Sequence, residues 1–211
     1  MSKTDAQLDR ALESWPLTRS LSAATRRALK SSGRSQFYAR GEWLLEGGAK
    51  AERIHLLMWG LTRELYVTTA GVEHTRAFVA EGALTGSLLD LLSGRPSITW
   101  IQALEDTHTV WWRYQDFDAL TRQHRDLELL ARSQAEALAV RKTRREFEML
   151  ALSAAERLEC WRAQQPALDG RINRRLLASY LGISPVHLSR ITRALARSSE
   201  GTARETGRGP R

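Results

Sequence analysis

Asn173-Arg174-Arg175-Leu176-Leu177-Ala178-Ser179-Tyr180-Leu181-Gly182-Ile183-Ser184-Pro185-Val186-His187-Leu188-Ser189-Arg190-Ile191-Thr192-Arg193-Ala194-Leu195 is the most informative stretch of this chain. Its apolar positions, Leu177, Leu181, Ile183, Leu188, Ile191 and Leu195, fall at the spacings of two short helices. Ala178 is small where the helices must approach closely. Gly182 lies at the turn, where a positive φ is needed and glycine adopts it cheaply. Ser184 suits an N-cap and Pro185 the first helical position. Two helices joined by such a turn form a helix-turn-helix. The second helix projects Val186, His187, Ser189, Arg190 and Arg193 outward, and its start can enter a DNA major groove.

Charge agrees with this reading. Lysine and arginine exceed aspartate and glutamate by 32 − 24 = +8. Residues 141–211 hold 15 basic and 7 acidic residues, so the remaining 140 residues, with 17 of each, sum to zero. Arg171 to Arg197 contains six arginines and no acid. A neutral body with a basic end is the footprint of a polyanion-binding module. All basic residues but Lys3, Lys30, Lys50 and Lys142 are arginine, a bias that suggests a GC-rich bacterial genome.

Working outward, the composition bounds the rest. At 211 residues the chain holds one large domain or two small ones, and 42% hydrophobic residues suffice for real cores. No apolar run approaches the ~18 to 20 residues of a spanning helix. Met1 to Asp5 offers no apolar signal segment. The expectation is a cytoplasmic protein without membrane contact. Cys160 is the only cysteine, which excludes an intrachain disulfide and any four-thiolate zinc or iron–sulfur site.

Residues 1 to 33 read as a helical lead-in, with Leu8, Leu12 and Trp15 at helical spacing. Ser22 caps a second helix carrying Leu29, and Gly33 ends it. From Ser35 to Tyr114 short apolar runs alternate with glycine turns. The strand candidates are Gln36–Tyr38, Trp43–Leu45, Ile54–Trp59, Leu65–Thr68, Arg76–Val79, Trp100–Leu104 and Val110–Trp112, which argues for a small antiparallel sandwich or barrel. Leu84–Leu92 is leucine-rich, with Thr85 its one β-branched residue, and reads as a short helix stopped by Gly94 and Pro96.

Residues 127 to about 150 form one long helix. Leu127, Ala131, Ala135 and Leu138 make one stripe; Leu129, Glu136, Val140, Phe147 and Leu150 make another. One stripe packs on the sheets and the other invites a second copy of the chain in a two-helix seam. Ser153-Ala154-Ala155-Glu156 fits a capping box, so a new helix starts at Ala154 and stops before Pro166.

In this order of elements the chain resembles the Crp/Fnr-type transcription regulators, over roughly residues 20 to 197. The matching stretches are Arg40-Gly41-Glu42, Ile54–Trp59 with Gly60, Gly82 to Ala103, and the helix-turn-helix. The resemblance implies an α+β fold: an N-terminal antiparallel β-roll of cyclic-nucleotide-binding type with flanking helices, a long dimerisation helix and a mainly α, winged helix-turn-helix. The expected divisions are 1–126, 127–152, 153–197 and a disordered tail, 198–211, in nonspecific contact with DNA. That tail has no large apolar residue to build a wing after the second helix. A wing strand before the helix-turn-helix, near Leu168 to Ile172, is expected instead.

The resemblance places Arg190 at the family's guanine-reading arginine. A guanidinium can pair with both O6 and N7 of guanine. Val186, His187, Ser189 and Arg190 are the expected base contacts; Arg174, Arg175, Ser184 and Arg193 are the expected phosphate contacts, which position without specifying. The implied partners are double-stranded DNA on a palindrome and a second copy of the chain. RNA polymerase and an unidentified small-molecule effector are further candidates.

In this family a cyclic nucleotide is held by a short helix N-terminus, a glutamate on the ribose and an arginine on the phosphate. Here Ser87 replaces the glutamate and Ser97 the arginine. Arg95 is close but lies before Pro96 on a turn. Without its guanidinium the phosphate loses a charge-assisted bidentate contact, so control by cyclic AMP is not expected. Gly86, Ser87, Arg95, Ser97 and Thr99 stand as a candidate pocket for a different effector, with the helix start near Gly86 able to hold another anion.

The alternative is a cupin-like β-barrel metal enzyme, or a small-molecule-binding protein, with an incidental basic helical tail. Cupin metal chemistry wants two histidines one residue apart, and no H-x-H occurs. His55, His74, His108 and His124 are scattered singly, which also argues against haem. G-x-S-x-G and the phosphate-binding glycine loop are missing. No catalytic residue, cofactor or metal is therefore assigned.

Overall fold

The computed structural model describes residues 15–206, with side chains undescribed at 16, 17 and 198–206. The chain divides into two compact units between Val140 and Arg141. That division falls inside a single helix, which belongs by its first half to one unit and by its second half to the other.

The first unit is built on eight strands: β1 (Arg34–Tyr38), β2 (Trp43–Leu45), β3 (Arg53–Trp59), β4 (Leu61–Val67), β5 (Glu73–Ala80), β6 (Leu84–Thr85), β7 (Trp100–Ala103) and β8 (Thr107–Arg113). They form two four-stranded sheets, ordered β1-β8-β3-β6 and β2-β7-β4-β5, with every pairing antiparallel. Its helices are α1 (Ala23–Ser32), α2 (Leu88–Ser93), α3 (Tyr114–Gln123) and the start of α4 (Arg125–Ala151). Ser22 caps α1 by accepting from the N–H of Thr25, and Gly33 ends it.

The helices cover one face of the first sheet. Leu56, Val110 and Trp112 from the strands meet Leu29, Phe117, Leu127 and Leu130 from the helices in one buried cluster that also includes Trp15 and Leu21. The Trp112 indole N–H donates to the Leu29 carbonyl over 2.8 Å, so the largest core side chain leaves no polar group unmet. Of the stripe expected to pack, Leu127 is buried and Ala131 half-buried against this cluster, Leu138 is half-buried and Ala135 is exposed; Leu130, outside that stripe, joins the cluster instead. Leu129, Val140, Phe147 and Leu150 stay exposed, at 50%, 68%, 58% and 82%.

Several element limits differ from the sequence reading. The helix expected over Leu84–Leu92 begins only at Leu88; Leu84 and Thr85 pair with β3 as β6. Gly86 separates the two at φ +153, with the β3 backbone 3.2 Å from where a Cβ would stand. β4 starts four residues earlier than expected because Arg63 and Glu64 hide its alternation, yet both are buried and paired. Leu8 and Leu12 lie outside the described residues.

The second unit holds the rest of α4, then α5 (Ala154–Gln164), α6 (Arg174–Leu181) and α7 (Pro185–Thr206). The capping box at Ser153 forms as expected, with Ser153 and Glu156 bonded reciprocally. The expected wing strand near Leu168 to Ile172 does not form: Pro166–Leu168 is a single 3-10 turn, and among the described residues no strand follows Arg113. The fold is therefore not winged within those residues. Pro166 and Gly170 punctuate the segment too closely for a strand, and the chain beyond Pro185 is helical, leaving none to pair with. The helix α7 runs to Thr206, into the segment expected to be a tail. Residues 207–211 lie outside the described residues.

Candidate nucleic-acid interface and sensor-like pocket

The turn between α6 and α7 is fixed by backbone hydrogen bonds. Asn173 caps α6, its side chain accepting from the N–H of Leu176 over 2.9 Å. At the other end Gly182 takes φ +69 and ψ 32. The N–H of Gly182 donates to the Ser179 carbonyl and that of Ile183 to the Ala178 carbonyl, the paired bonds of a Schellman turn. Ser184 then accepts from the N–H of His187 over 3.2 Å, and Pro185 opens α7. Leu177, Ala178, Leu181, Leu188 and Ile191 are buried between the helices.

Gly182→Ala is expected to destabilise the second unit by about 1–2 kcal/mol, because an L side chain is strained at this φ. The new Cβ also meets Met149 Cε at 2.8 Å. Gly182→Asn costs less, since asparagine visits this region more readily. Denaturant unfolding followed through Trp161 fluorescence measures both.

Burying Leu188 and Ile191, with Leu195 half-buried beside them, on one side of α7 turns Val186, Arg190, Arg193 and Arg197 to the opposite side. All four are exposed. Ser189 is half-buried beside them, His187 is exposed at the flank, and Ser184 is exposed with its hydroxyl proton still free to donate. Arg174 and Arg175 are exposed in the first turn of α6. Among the described residues none of these arginines meets a carboxylate.

The end of α4 anchors this pair of helices from behind. Arg145 donates to the Tyr180 carbonyl and its guanidinium lies 4.0 Å from the Tyr180 ring. Glu148, almost fully buried, accepts from Gln164 over 2.9 Å and faces Arg144 and Arg145 at 3.6 and 3.7 Å. Sequence reasoning missed this network, whose members are spread over three helices.

In the first unit the candidate effector residues come together around a side chain the sequence reading passed over. Asp90 Oδ2 accepts from the hydroxyls of Ser87 and Ser97, each over 2.6 Å. Ser87 lies 3.0 Å from the Thr99 hydroxyl, and Ser97 donates to the Thr99 carbonyl over 2.9 Å. Asp90, Ser87, Ser97 and Thr99 are all at most 3% exposed. Burial pushes the Asp90 pKa up, but the two hydroxyls and the N–H groups of Thr99 and Ile98 more than reverse this, holding it below the ordinary aspartate value.

The network continues. Arg76 reaches Thr99 over 3.4 Å and Glu64 over 3.4 Å, and Glu64 accepts from Thr85 over 3.0 Å. A β-bulge delivers that arginine: Glu64 faces Ala77 and Leu65 faces Thr75, leaving Arg76 as the extra residue. Two carboxylates and one guanidinium give this interior a formal charge of −1. Arg95 does not join it, being exposed on its turn. Gly86 enters only as backbone. At the start of α2, a six-residue helix, the first-turn Asp90 is turned toward the Ser87 and Ser97 hydroxyls. The spacing Ser87-x-x-Asp90 was the available signal.

Among the described residues no three of His, Cys, Asp and Glu gather where they could hold a metal, and no helix is long and apolar enough to cross a membrane.

No protein-family model and no curated protein matches the chain. Solved structures do. FixK2 from Bradyrhizobium japonicum is 16% identical with a TM-score of 0.68, covering 79% of this chain and 86% of that one. A CooA variant from Carboxydothermus hydrogenoformans is 18% identical with a TM-score of 0.67, covering 80% and 78%. The Thermus thermophilus catabolite activator protein is 26% identical with a TM-score of 0.54, covering 87% and 88%. The chain shares the fold of Crp/Fnr-type regulators.

Proposed function

We propose that this chain is a DNA-binding transcription regulator of Crp/Fnr type, binding palindromic operators as a homodimer and working without cyclic AMP. The observation that carries the reading is the arginine stripe of α7, exposed opposite Leu188, Ile191 and Leu195 and, among the described residues, unmatched by carboxylates. In a major groove Arg190 reads guanine, while Val186, His187 and Ser189 meet neighbouring base edges or a thymine methyl. Arg174, Arg175, Arg193 and the Ser184 hydroxyl take phosphates.

The exposed positions Leu129, Val140, Phe147 and Leu150 of α4 lie in a 3-4 repeat interrupted by Ser133, Glu136 and Thr143. That repeat supports a two-helix seam between copies. Joint Phe147→Glu and Leu150→Glu substitution is expected to yield a monomer by sedimentation. Operator affinity then falls at least about 100-fold, because the second half-site no longer binds at high effective concentration.

Against cyclic AMP stands the −1 interior around Asp90. A phosphodiester placed there adds a second uncompensated anion, and the one nearby guanidinium, Arg76, already faces Glu64. Isothermal titration is expected to show no binding of cyclic AMP or cyclic GMP; a micromolar Kd for either overturns this part.

The test of the whole is selection of bound duplexes from a random pool. A palindrome with half-sites roughly 34 Å apart, bound with steep salt dependence, is the expected result. No enrichment at low ionic strength refutes the reading.

A further inference from the structure

A cavity of about 520 Å³ opens in the first unit between the β2–β3 connection and β7. That volume lies within the range of small-molecule sites, about 300–1,000 Å³. Its depth is formed by His55, Ala51 and Ile101, which are 2%, 8% and 1% exposed, and Trp43 stands along the wall, edge-on to Trp100 at 5.1 Å.

The charged lining residues are at the mouth, and most are engaged. Lys50 and Glu52 pair at 3.0 Å. Arg53 lies 4.1 Å from the Trp111 ring and donates to Gln36. Glu46 is exposed. With Arg53 balancing Glu46 and Lys50 balancing Glu52, the rim is neutral. In the depth, burial and the nearby Arg53 charge hold the His55 imidazole neutral, with a pKa of about 3. Its Nδ1 lies 3.2 Å from the Thr109 hydroxyl. Among the described residues Nε2 has no hydrogen-bond partner, although the ring is nearly fully buried and lines the cavity. A ligand group that meets Nε2 gains one hydrogen bond inside the cavity.

We infer that this cavity is a binding site for a small, uncharged molecule that stacks a ring against Trp43 and hydrogen-bonds His55 Nε2. A charged molecule finds no free counter-charge in the depth. The site is connected to the Asp90 cluster. Gly48 N–H donates to the Ser97 carbonyl over 2.7 Å, and Ser97 N–H donates to the Ala49 carbonyl over 2.8 Å. The Trp100 indole occupies the space where a Cβ on Gly47 would stand. Occupancy therefore bears directly on the segment that carries Ser97 and Thr99. This inference does not depend on DNA binding, and its test involves no DNA.

Indole serves as an uncharged probe and indole-3-carboxylate as its anionic counterpart. Titrated into the full chain and followed by NMR, indole is expected to shift the resonances of Trp43, His55 and Ile101 saturably. Indole-3-carboxylate is expected to bind at least about tenfold more weakly. His55→Phe keeps the ring bulk and removes Nε2, and should weaken indole about fivefold, the effect of one hydrogen bond. Ala51→Phe fills the depth and should abolish binding. Absence of saturable shifts at these residues in the unaltered chain overturns the inference without recourse to either variant. So does equal binding of the two probes, or undiminished binding by either folded variant.

Discussion

Arg190→Ala is expected to lower affinity for the selected operator by about 1–3 kcal/mol for each recognition helix that loses its guanine contact. Affinity for a scrambled duplex of the same length should fall far less. The asymmetry follows from where the charge sits. Arg190 stands in the middle of the exposed stripe, one turn after Val186 and just before Arg193, on the side of α7 opposite its buried leucines. In the proposed complex Arg174, at the start of α6, belongs to the helix that would cross the sugar–phosphate backbone. Its replacement by alanine should weaken both duplexes equally and reduce the salt slope by about one counterion per site. Fluorescence anisotropy on both duplexes at several salt concentrations separates the two behaviours. Equal losses on both duplexes for Arg190→Ala would contradict its reading role.

The second unit was more legible in the sequence than the first, and the reason is physical. Gly182, Ser184 and Pro185 each satisfy a local backbone requirement, so three residues within four positions declare the turn, and the structure places each as expected. The capping box at Ser153 is legible in the same way. The strands of the β-roll were found where one face is apolar. β4 was clipped because Arg63 and Glu64 look like solvent residues until their partners, Glu73, Gln102, Arg76 and Thr85, are known. Those partners come from other strands, and no local pattern announces them. The absent wing was misjudged for the opposite reason: a strand needs a neighbour, and the family resemblance supplied one that the chain does not.

The same logic makes Asp90 the position of largest expected effect in the first unit. Asp90→Ala removes a carboxylate that accepts from two buried hydroxyls and two backbone N–H groups. Hydrogen bonds to a charged group contribute about 1.5–3 kcal/mol each. Ser87 and Ser97 keep other neighbours in Thr99, so the loss falls short of a full sum, and about 3–5 kcal/mol is expected. Asp90→Asn retains an acceptor oxygen but aims an amide at donors, and should cost about half as much. The pH dependence has a definite sign. The folded Asp90 pKa lies below the unfolded one, so its contribution is complete above the ordinary aspartate value of about 4 and fades as pH falls below it. Urea unfolding at pH 7 and pH 3 measures both effects: the gap between the unaltered chain and Asp90→Ala should narrow in acid. A gap that stays constant would mean the carboxylate charge is not what holds Ser87, Ser97 and Thr99 together. If the charge does hold them, the substitution also removes the anion that opposes an incoming phosphate. Asp90→Asn should then be the first variant of this chain to show measurable binding of inorganic phosphate by isothermal titration.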